Sequence, residues 1–319
     1  MSSESLSLDG RASQRPSVAV RRASPLAQQR RRQAWLLVLP AMLMLVVIAG
    51  WPLLRTVWFS LTSAQLSDLT QHPFVGLDNY IGENGVLRDG EWWHAVGNTL
   101  IFAVISVSLE TVLGLGVALL LNTPSRVRSL LRAAVLVPWA IPTIVSAKIW
   151  SWMLNDQYGV INAILLHLGV IDHPLAFIAD PDLAFPTIIL VDVWKTTPFM
   201  ALLMLAALQM VPSDCYEAAR LDGVPRWRVF RHITLPLILP GVLVAMVFRM
   251  LDALRVFDLI YVMTSNSRLT KSMSIYVREQ LVDFQQVGFG SASAIVLFLL
   301  ISTFTIAYMV FTRRRMQGV

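Results

Sequence analysis

Several charged side chains lie within long apolar stretches of the sequence, where a charge is costly. Asp192 and Lys195 are three residues apart in one stretch, and Arg249 and Asp252 have the same spacing in a later one. Residues three apart on a helix share a face, and a charge at the centre of a bilayer costs at least a few kcal/mol. We therefore treat these four residues as candidates for function rather than as ordinary surface charges.

These groups could form hydrogen bonds with a polar substrate such as a polyol. Carboxylates and a guanidinium form paired, charge-assisted hydrogen bonds, and an aromatic ring can pack against the apolar face of a sugar. The predicted sugar path is lined by Asp192, Lys195, Thr196, Phe199, Arg249 and Asp252. The alternative, also open at this stage, is that the opposite charges neutralise one another and hold neighbouring helices in register.

The sequence offers no catalytic constellation to accompany these charges. Cys215 is the only cysteine, so an intrachain disulfide and a thiolate metal cluster are both excluded. The five histidines never take the HExxH spacing of a zinc site, and no lysine lies in a GxxxxGK[ST] phosphate loop. We expect no catalytic residue, no metal and no cofactor bound by this chain, so the energy that it uses must be supplied by another protein.

The composition is typical of a protein embedded in a membrane. Of the 319 residues, 55% are hydrophobic and 14% are charged, whereas a soluble protein carries about 25% charged residues. Apolar runs replace the missing charge, and crossing a bilayer takes about 20 such residues. We predict an all-α polytopic membrane protein with six transmembrane helices. The predicted spans are 34–60, 97–121, 131–154, 185–210, 236–260 and 291–312.

The net charge of +6 is explained by sidedness in the membrane rather than by nucleic-acid binding. Short loops that hold Lys and Arg stay in the cytoplasm. With the N-terminus inside, 17 of the 26 basic residues lie in the two tails and in the loops 122–132 and 211–235. Segment 155–184, on the other side, has no Lys or Arg. We therefore expect both termini in the cytoplasm and no nucleic-acid partner.

Three parts of the chain are predicted from composition. Residues 1–33 form a disordered basic cytoplasmic tail, because the sequence there is rich in Ser and Arg with few apolar residues. Residues 34–312 form the transmembrane domain, and residues 313–319 form a second cytoplasmic tail. The first apolar run is longer than the 7–15 residues of a signal peptide, and no A-x-A-like cleavage site follows it. We predict a retained signal anchor.

The loop between the fourth and fifth predicted spans, residues 211–236, carries the most informative pattern. Its marked positions are Glu217, Ala218, Ala219, Gly223, Ile233, Leu235 and Pro236. Ser213 is placed to cap a short helix, Gly223 to end it in a left-handed conformation, and Pro225 to open a second helix as its first residue. Two short helices with a tight corner, small alanines and one acidic side chain suit a groove on a partner protein.

This spacing resembles the cytoplasmic coupling loop of the permease subunits of ATP-binding-cassette (ABC) importers. In that family the loop docks into the motor ATPase, so the resemblance makes the seven marked positions the expected ATPase-coupling residues. The alternative is a plain basic loop that obeys the positive-inside rule. The arginines alone would support only that reading, and a bare Glu-Ala-Ala occurs by chance in many helices.

Other segments resemble permeases of carbohydrate importers of the maltose and trehalose type. They are FVGLDNY at 74–80, AVGNTL at 95–100, VWKTTPF at 193–199 and FDLIYVMT at 257–264, the last being similar to the first permease of a heterodimeric pair. The resemblance implies a five-helix permease core (MetI-like) in a bacterial-type cytoplasmic membrane. It also implies a second permease, an ABC ATPase dimer that uses ATP and Mg²⁺, an extracytoplasmic sugar-binding protein and a di- or oligosaccharide substrate.

The same resemblance bears on the predicted sugar path. Sugar contacts of the maltose-type permease align near positions on the fourth and fifth predicted spans, namely Asp192, Lys195, Thr196, Phe199, Arg249, Ala253 and Val256. This chain has charges where neutral polar groups are expected, which leaves room for an acidic or differently shaped sugar.

A proton-coupled secondary transporter is the competing function. Glu110 and Asp192 would then form a proton relay within the membrane. Transporters of that kind commonly contain internal repeats, and the sequence shows none. The pattern in 211–236 would also be left without an explanation, so the importer permease is the preferred hypothesis.

Overall fold

The computed structural model describes residues 25–70, 72–123 and 126–316, and this part of the chain is helical. Strand-like pairing among these residues is limited to two isolated bridges, Thr62 with Phe74 and Gln65 with Asp68. The chain divides into two compact units after Leu54, within the first span. The predicted all-α class is confirmed.

In the described residues of the first half of the chain, six α-helices lead up to the end of the third span. The helices are α1 (Pro25–Leu45), which continues through a π turn at Val46–Gly50 into α2 (Trp51–Ser60), then α3 (Asp78–Ile81), α4 (Gly90–Asn122), α5 (Arg128–Ala140) and α6 (Thr143–Met153).

The second half carries the loop pattern and the last spans. Its helices are α7 (Val160–His167), α8 (Ala184–Gln209), α9 (Ser213–Leu221), α10 (Arg226–Val229), α11 (Leu235–Ala253), α12 (Asp258–Thr264), α13 (Met273–Arg278) and α14 (Val287–Met316).

Among the residues that the structure describes, five helical stretches are long and apolar enough to cross a membrane, and a bent pair of helices supplies a sixth. The stretches are Arg32–Ser60, Gly90–Asn122, Ala184–Gln209, Arg226–Ala253 and Val287–Val310, and the pair is Ser129–Ala140 with Thr143–Met153. The two halves of the pair meet at 87°. The predicted span at 131–154 is therefore present, but it is broken in its middle. Pro142 explains the break, because a proline lacks the N–H that a helix needs and disfavours helical geometry at the residue before it.

The bent pair acts as one crossing of the membrane, as the direction of its neighbours shows. The Thr196 hydroxyl of α8 lies 2.6 Å from Glu110 Oε1 of α4. Four residues further along both helices, a Cβ placed on Gly114 would lie only 3.0 Å from Met200 Cβ. Residue numbers rise together along the two helices, so α4 and α8 are parallel. The chain must return to its starting side between them, and α5 with α6 makes that return.

Three other predicted boundaries move for local reasons. Helix α4 begins at Gly90 rather than 97, because the Asp89 carboxylate caps it by accepting a hydrogen bond from the Glu91 N–H at 2.8 Å. The fifth span ends at Ala253 rather than 260, and Asp258 then stands in the first turn of α12, where the helix dipole favours an acid. The last span runs on to Met316, beyond the predicted end at 312.

The predicted disordered tail 1–33 is corrected where the structure describes it. Helix α1 already begins at Pro25, because a proline suits the first position of a helix and the Ala, Gln and Arg residues that follow have high helix propensity. Residues 1–24 and 317–319 lie outside the described residues.

Two buried apolar clusters hold the spans together at different depths. One contains Trp92 and Tyr276, whose rings pack edge to face with centroids 5.4 Å apart. The other contains Met200, Met204 and Ile238 and lies towards the α8–α11 loop. The charged residues singled out from the sequence lie on the helices that these clusters join.

Candidate functional site

Arg249 is the centre of a buried ionic network that joins three spans. Only 2% of Arg249 is exposed and Glu110 is fully buried. The guanidinium donates from Nε to Glu110 Oε2 at 2.6 Å and from Nη2 to Glu110 Oε1 at 3.0 Å. Nη2 also donates to Asp192, and Nη1 donates to Asp252 Oδ2 at 2.9 Å. Each guanidinium nitrogen therefore has a carboxylate partner, and α4, α8 and α11 are tied together.

Thr196 completes the network on α8. Its hydroxyl lies 2.6 Å from Glu110 Oε1 and 2.7 Å from the carbonyl oxygen of Asp192, and it can donate its one proton to either acceptor. The network thus sets one guanidinium against three carboxylates. Two of those carboxylates are buried, whereas the Asp252 side chain is 70% exposed.

Lys195 lies outside this network and binds backbone carbonyls at the break in the bent pair. Its ammonium donates to the carbonyl oxygen of Ile141 at 2.9 Å and is 3.5 Å from that of Trp139. Carbonyls at the C-terminal end of a helix lack partners within the helix, and a cation is favoured there. The ring of Phe199 stacks on Trp139 with centroids 5.7 Å apart. Helix α8 therefore holds the last turn of α5 by an ammonium group and by an aromatic ring.

The six residues of the predicted sugar path are thus placed in two neighbouring groups. The network brings together Asp192, Thr196, Arg249 and Asp252. Lys195 and Phe199 instead contact residues at the break in the bent pair. Asp252 is exposed, while Thr196 and Phe199 are half-buried. The sugar contact itself stays a prediction, and Arg249 and Asp192 act here as links between helices.

Glu110 is the network residue that the predicted path leaves out. The sequence carried a signal for it, because Glu110 is a lone carboxylate in the middle of an apolar span. Its partner could not be identified in this way, since Arg249 is 139 residues away along the chain. Among the described residues, no group of His, Cys, Asp and Glu side chains has the arrangement of a metal site.

The loop between α8 and α11 folds into the predicted corner of two short helices. Helix α9 ends in a Schellman motif, in which the Val224 N–H bonds to the Ala219 carbonyl at 3.0 Å and the Gly223 N–H bonds to the Arg220 carbonyl at 3.1 Å. Gly223 has φ +67°. A left-handed residue at this position ends many helices, and glycine adopts it without steric cost.

Two details of the predicted loop are wrong by one residue. Ser213 is the first residue of α9 and Pro212 occupies the capping position, where Ser213 was expected. Pro225 caps α10 instead of opening it as its first residue. In both cases the proline takes the extended conformation before the helix, with ψ of 135° and 146° respectively, and its ring removes an N–H that the helix does not need.

A π turn at Phe230–Thr234 leads from the loop into α11. The Leu235 N–H reaches back to the Phe230 carbonyl, because Pro236 has no N–H and its ring would collide with the carbonyl of an ordinary turn. The Tyr216 hydroxyl lies 3.2 Å from Thr234 Oγ1 and ties α9 to this turn. The marked positions Ile233, Leu235 and Pro236 are half-buried and anchor the loop to α11.

The opposite side of the loop is exposed. Glu217, Ala218 and Gly223 are exposed, whereas Ala219 is only 5% exposed. Leu221 is 90% exposed and Trp227 is 69% exposed. A small surface of apolar, acidic and basic side chains therefore projects from the ends of α8 and α11, two of the three helices that carry the ionic network.

A second buried charged group lies at the other end of the molecule. Lys271, 5% exposed, donates to Glu279 Oε2 at 2.6 Å and is 3.5 Å from Glu91 Oε2. The Tyr276 hydroxyl donates to the Asp89 carboxylate. Burial and that carboxylate raise the pKa of the Tyr276 phenol well above its usual value, so it stays a proton donor. These contacts fasten segment 271–279 to the start of α4.

Comparison with known proteins agrees with this architecture. The model of the family "Binding-protein-dependent transport system inner membrane component" matches residues 110–318. The trehalose/maltose transport system permease protein MalF of Thermococcus litoralis is 43% identical over 90% of this chain and 95% of its own length. The trehalose transport system permease protein SugA of Mycobacterium tuberculosis is 36% identical over 89% of this chain and 90% of its own.

Other comparisons extend the range of related proteins. The sulfoquinovosyl glycerol transport system permease protein SmoG of Agrobacterium fabrum is 37% identical over 86% of this chain and 89% of its own length. A crystal structure of a bacterial ABC transporter that imports the acidic polysaccharide alginate shares the fold, with a TM-score of 0.77 and 22% identity over 90% of this chain and 96% of that one. The chain therefore belongs to the family of binding-protein-dependent transport system inner membrane components.

Proposed function

We propose that this chain is one permease of a heterodimeric pair in an ABC importer for a di- or oligosaccharide of the trehalose or maltose class. The observation that carries the proposal is the exposed loop of Glu217, Ala218 and Leu221 at the ends of α8 and α11. This surface has the shape and chemistry of a docking element, and relatives named for trehalose transport support the sugar class.

The proposed energy source is a cytoplasmic pair of ABC ATPases that bind ATP and Mg²⁺. Movement of the ATPases would act first on α9 and α10. The half-buried positions Ile233, Leu235 and Pro236 would pass it to α11, and the α8 end of the loop would move with it. Because Arg249 links α11 to both α4 and α8, the three spans would move as a unit when the path changes the side to which it opens.

The proposed path for the sugar passes the exposed part of the network. Asp252 offers a carboxylate to hydroxyl groups, Thr196 offers a hydroxyl, and Phe199 offers a ring face for the apolar side of a pyranose. An extracytoplasmic sugar-binding protein would deliver the substrate at the end of the molecule opposite the loop. In this orientation both termini and the loop lie in the cytoplasm.

Purification of the chain from its native membranes tests the proposal. We expect the gently solubilised, tagged protein to bring with it an ABC ATPase and a second six-span permease, both identified by mass spectrometry. Reconstituted with its binding protein, the complex should hydrolyse ATP faster when trehalose or maltose is present. Recovery of this chain alone, together with uptake that a protonophore abolishes at constant ATP, would instead indicate a proton-coupled transporter.

A charge reversal in the loop links the proposal to its main observation. Glu217→Lys should abolish sugar-stimulated ATP hydrolysis and uptake, because the acidic group would be replaced by a repelling one at the ATPase surface. Glu217→Gln should give an intermediate loss. Membrane insertion of both variants should match that of the unaltered protein, since Glu217 is exposed. Normal uptake by Glu217→Lys would show that this face does not contact the ATPase.

A further inference from the structure

A polar cavity of about 740 Å³ lies between α3, the turn before α4 and the start of α14, apart from the ionic network. Its wall is made by carboxylates, carboxamides and two aromatic rings. The lining residues are Asp78, Asn79, Glu83, Asn84, Asp89, Gln280, Phe284, Gln286 and Phe289. The cavity is at the end of the spans where α4 begins and α11 ends, so it faces the side opposite the coupling loop.

Gln280 is the feature that points to a ligand. It is only 8% exposed, yet its carboxamide forms no hydrogen bond with any residue in the described part of the chain. Its amide nitrogen and oxygen keep some contact with solvent. Since Gln280 forms part of the cavity wall, a ligand in the cavity would supply the missing hydrogen bonds.

Other residues of the wall are held in place by hydrogen bonds to the backbone. The Asn79 amide donates both of its hydrogens, to the Ser60 carbonyl at 2.9 Å and the Thr62 carbonyl at 2.8 Å. Its carbonyl oxygen accepts no hydrogen bond from the described residues. The Gln286 N–H bonds to the Gln280 carbonyl at 2.9 Å and fixes the turn between them. The site is therefore built before a ligand arrives.

The lining chemistry favours a polyol over a metal ion. Carboxylates and carboxamides both accept hydrogen bonds from sugar hydroxyls, and carboxamides also donate to them. Phe284 and Phe289 supply apolar ring faces. The volume falls in the range of about 300–1,000 Å³ that is usual for small-molecule sites. A calcium ion needs six to eight oxygens at about 2.3–2.6 Å, and the described residues hold no carboxylate group of that kind.

We propose that this cavity is a sugar subsite at the outer mouth of the importer, which holds a sugar outside the membrane-embedded path. The inference rests on the proposed function, because it takes its ligand class from sugar import. It adds a site on a different part of the chain, formed by α3 and by the turn that precedes α14.

Protection of an introduced cysteine tests the site in the complete importer. Cys215 is the only native cysteine of this chain, so Cys215→Ser gives a clean background, and the label is read on this chain alone after electrophoresis. Gln286→Cys, at the rim, is treated with a membrane-impermeant maleimide in nanodiscs without the binding protein. Trehalose and maltose are tested in parallel. A sugar that binds should slow the maleimide reaction of Gln286→Cys roughly tenfold when its concentration is about ten times its Kd.

Two further variants show whether protection is local. Gln157→Cys, exposed on the same side but outside this cavity, should react at the same rate with or without sugar. Adding Gln280→Leu to Gln286→Cys should raise the sugar concentration needed for protection by about tenfold, which corresponds to one lost hydrogen-bonding group.

The possible failures are distinguishable. If the importer takes up sugar but neither sugar protects Gln286→Cys, or if Gln280→Leu leaves protection unchanged, the subsite is overturned while the proposed function stands. Protection by calcium chloride in place of sugar would overturn the subsite in favour of a cation site. If the unaltered complex neither transports nor responds to any sugar, the proposed function itself fails.

Discussion

Arg249 stabilises this protein by neutralising the buried carboxylates of Glu110 and Asp192, not by its own burial. Taking a guanidinium and two carboxylates out of water is expensive, and a buried ion pair can cost as much as it gains. The network offsets this cost because each guanidinium nitrogen has a carboxylate partner and Glu110 is engaged by two of them. The structure is therefore far more sensitive to loss of one member than to exchange of all of them.

Arg249→Met should lower the free energy of unfolding by about 3–5 kcal/mol, because Glu110 and Asp192 would remain buried without a counter-charge. The measurement is chemical unfolding of the purified protein in mixed micelles. Replacing Glu110, Asp192 and Arg249 together by methionine should recover much of this loss.

Asp252→Asn is the matched control for the network. It contacts the same guanidinium, but its side chain is 70% exposed, so the change should be below about 1 kcal/mol. Equal losses for Arg249→Met and Asp252→Asn would show that burial of the network is not what stabilises the spans.

At the scale of single residues, the sequence predicts which positions are unusual but not how they pair. Asp192 and Arg249 stand out because a charge within an apolar span is costly wherever its partner lies. The assignment of Lys195 to the helix break, and not to the network, depends on where Ile141 lies in space. Local spacing carries no information on a contact across 54 residues.

The bent pair of helices depends on a contact from outside itself. Pro142 breaks the helix, but it does not fix the angle between the halves. Lys195 satisfies the Ile141 carbonyl at 2.9 Å and approaches that of Trp139, so the ammonium links the break to α8. The 87° bend is thus a property of α8 as well as of the pair.

Lys195→Met should loosen this bend, because the Ile141 carbonyl would lose its partner, at a cost of about 1–3 kcal/mol. Spin labels at Leu130→Cys and Ile149→Cys, in the Cys215→Ser background, report the distance between the two halves. We expect a narrow distance distribution in the parent and a broadened one with Lys195→Met.

Lys148→Met serves as the control for the bend, because Lys148 is an exposed lysine on α6 and should leave the distribution narrow. An unchanged distribution with Lys195→Met would mean that the bend is set by Pro142 and packing alone.

Gly223 allows conformation to be separated from bulk in the coupling loop. Its φ is +67° and a Cβ there would meet no atom within 4 Å. Gly223→Val should lower sugar-stimulated ATP hydrolysis by about tenfold, since a left-handed conformation costs a residue with a Cβ about 1–2 kcal/mol. Gly223→Asn should retain most of the activity, because asparagine tolerates that conformation.

The outcome for Gly223 is informative in either direction. If Gly223→Asn is as inactive as Gly223→Val, the loss is caused by the added side chain at the partner surface. It would then not be caused by the cost of the left-handed conformation. Gly116→Ala, in a helix and with free space around it, controls for loss of a glycine as such.

At the scale of elements, periodicity and apolar length predict that a helix exists better than they predict its first and last residues. Span lengths follow from the bilayer, so six crossings could be predicted. The ends are set by single contacts, such as the Asp89 cap that starts α4 seven residues early. The form of segment 258–286 could not be predicted, because Tyr276 is held by Asp89, 187 residues away along the chain. Lys271 likewise contacts Glu91 of α4 as well as Glu279 of its own segment.

For the molecule as a whole, the parallel course of α4 and α8 places the coupling loop and the polar cavity at opposite ends. The charge distribution of the sequence predicts that the loop lies in the cytoplasm, since short basic loops stay inside. In the proposed importer, the loop end would meet the ATPase and the cavity end would meet the sugar. The orientation can be tested with the one cysteine that the chain possesses.

Cys215 lies in α9 of the loop and is partly accessible. In intact cells a membrane-impermeant maleimide should leave Cys215 unmodified. In inside-out vesicles that have been washed free of peripheral proteins, the same reagent should modify Cys215 readily. In the Cys215→Ser background, Gln157→Cys should show the reverse pattern, because residue 157 follows α6 on the other side. Labelling of Cys215 from outside intact cells would invert the orientation and leave the loop with no access to a cytoplasmic ATPase. Protection of Cys215 in unwashed vesicles, lost on washing, would place the ATPase on this loop.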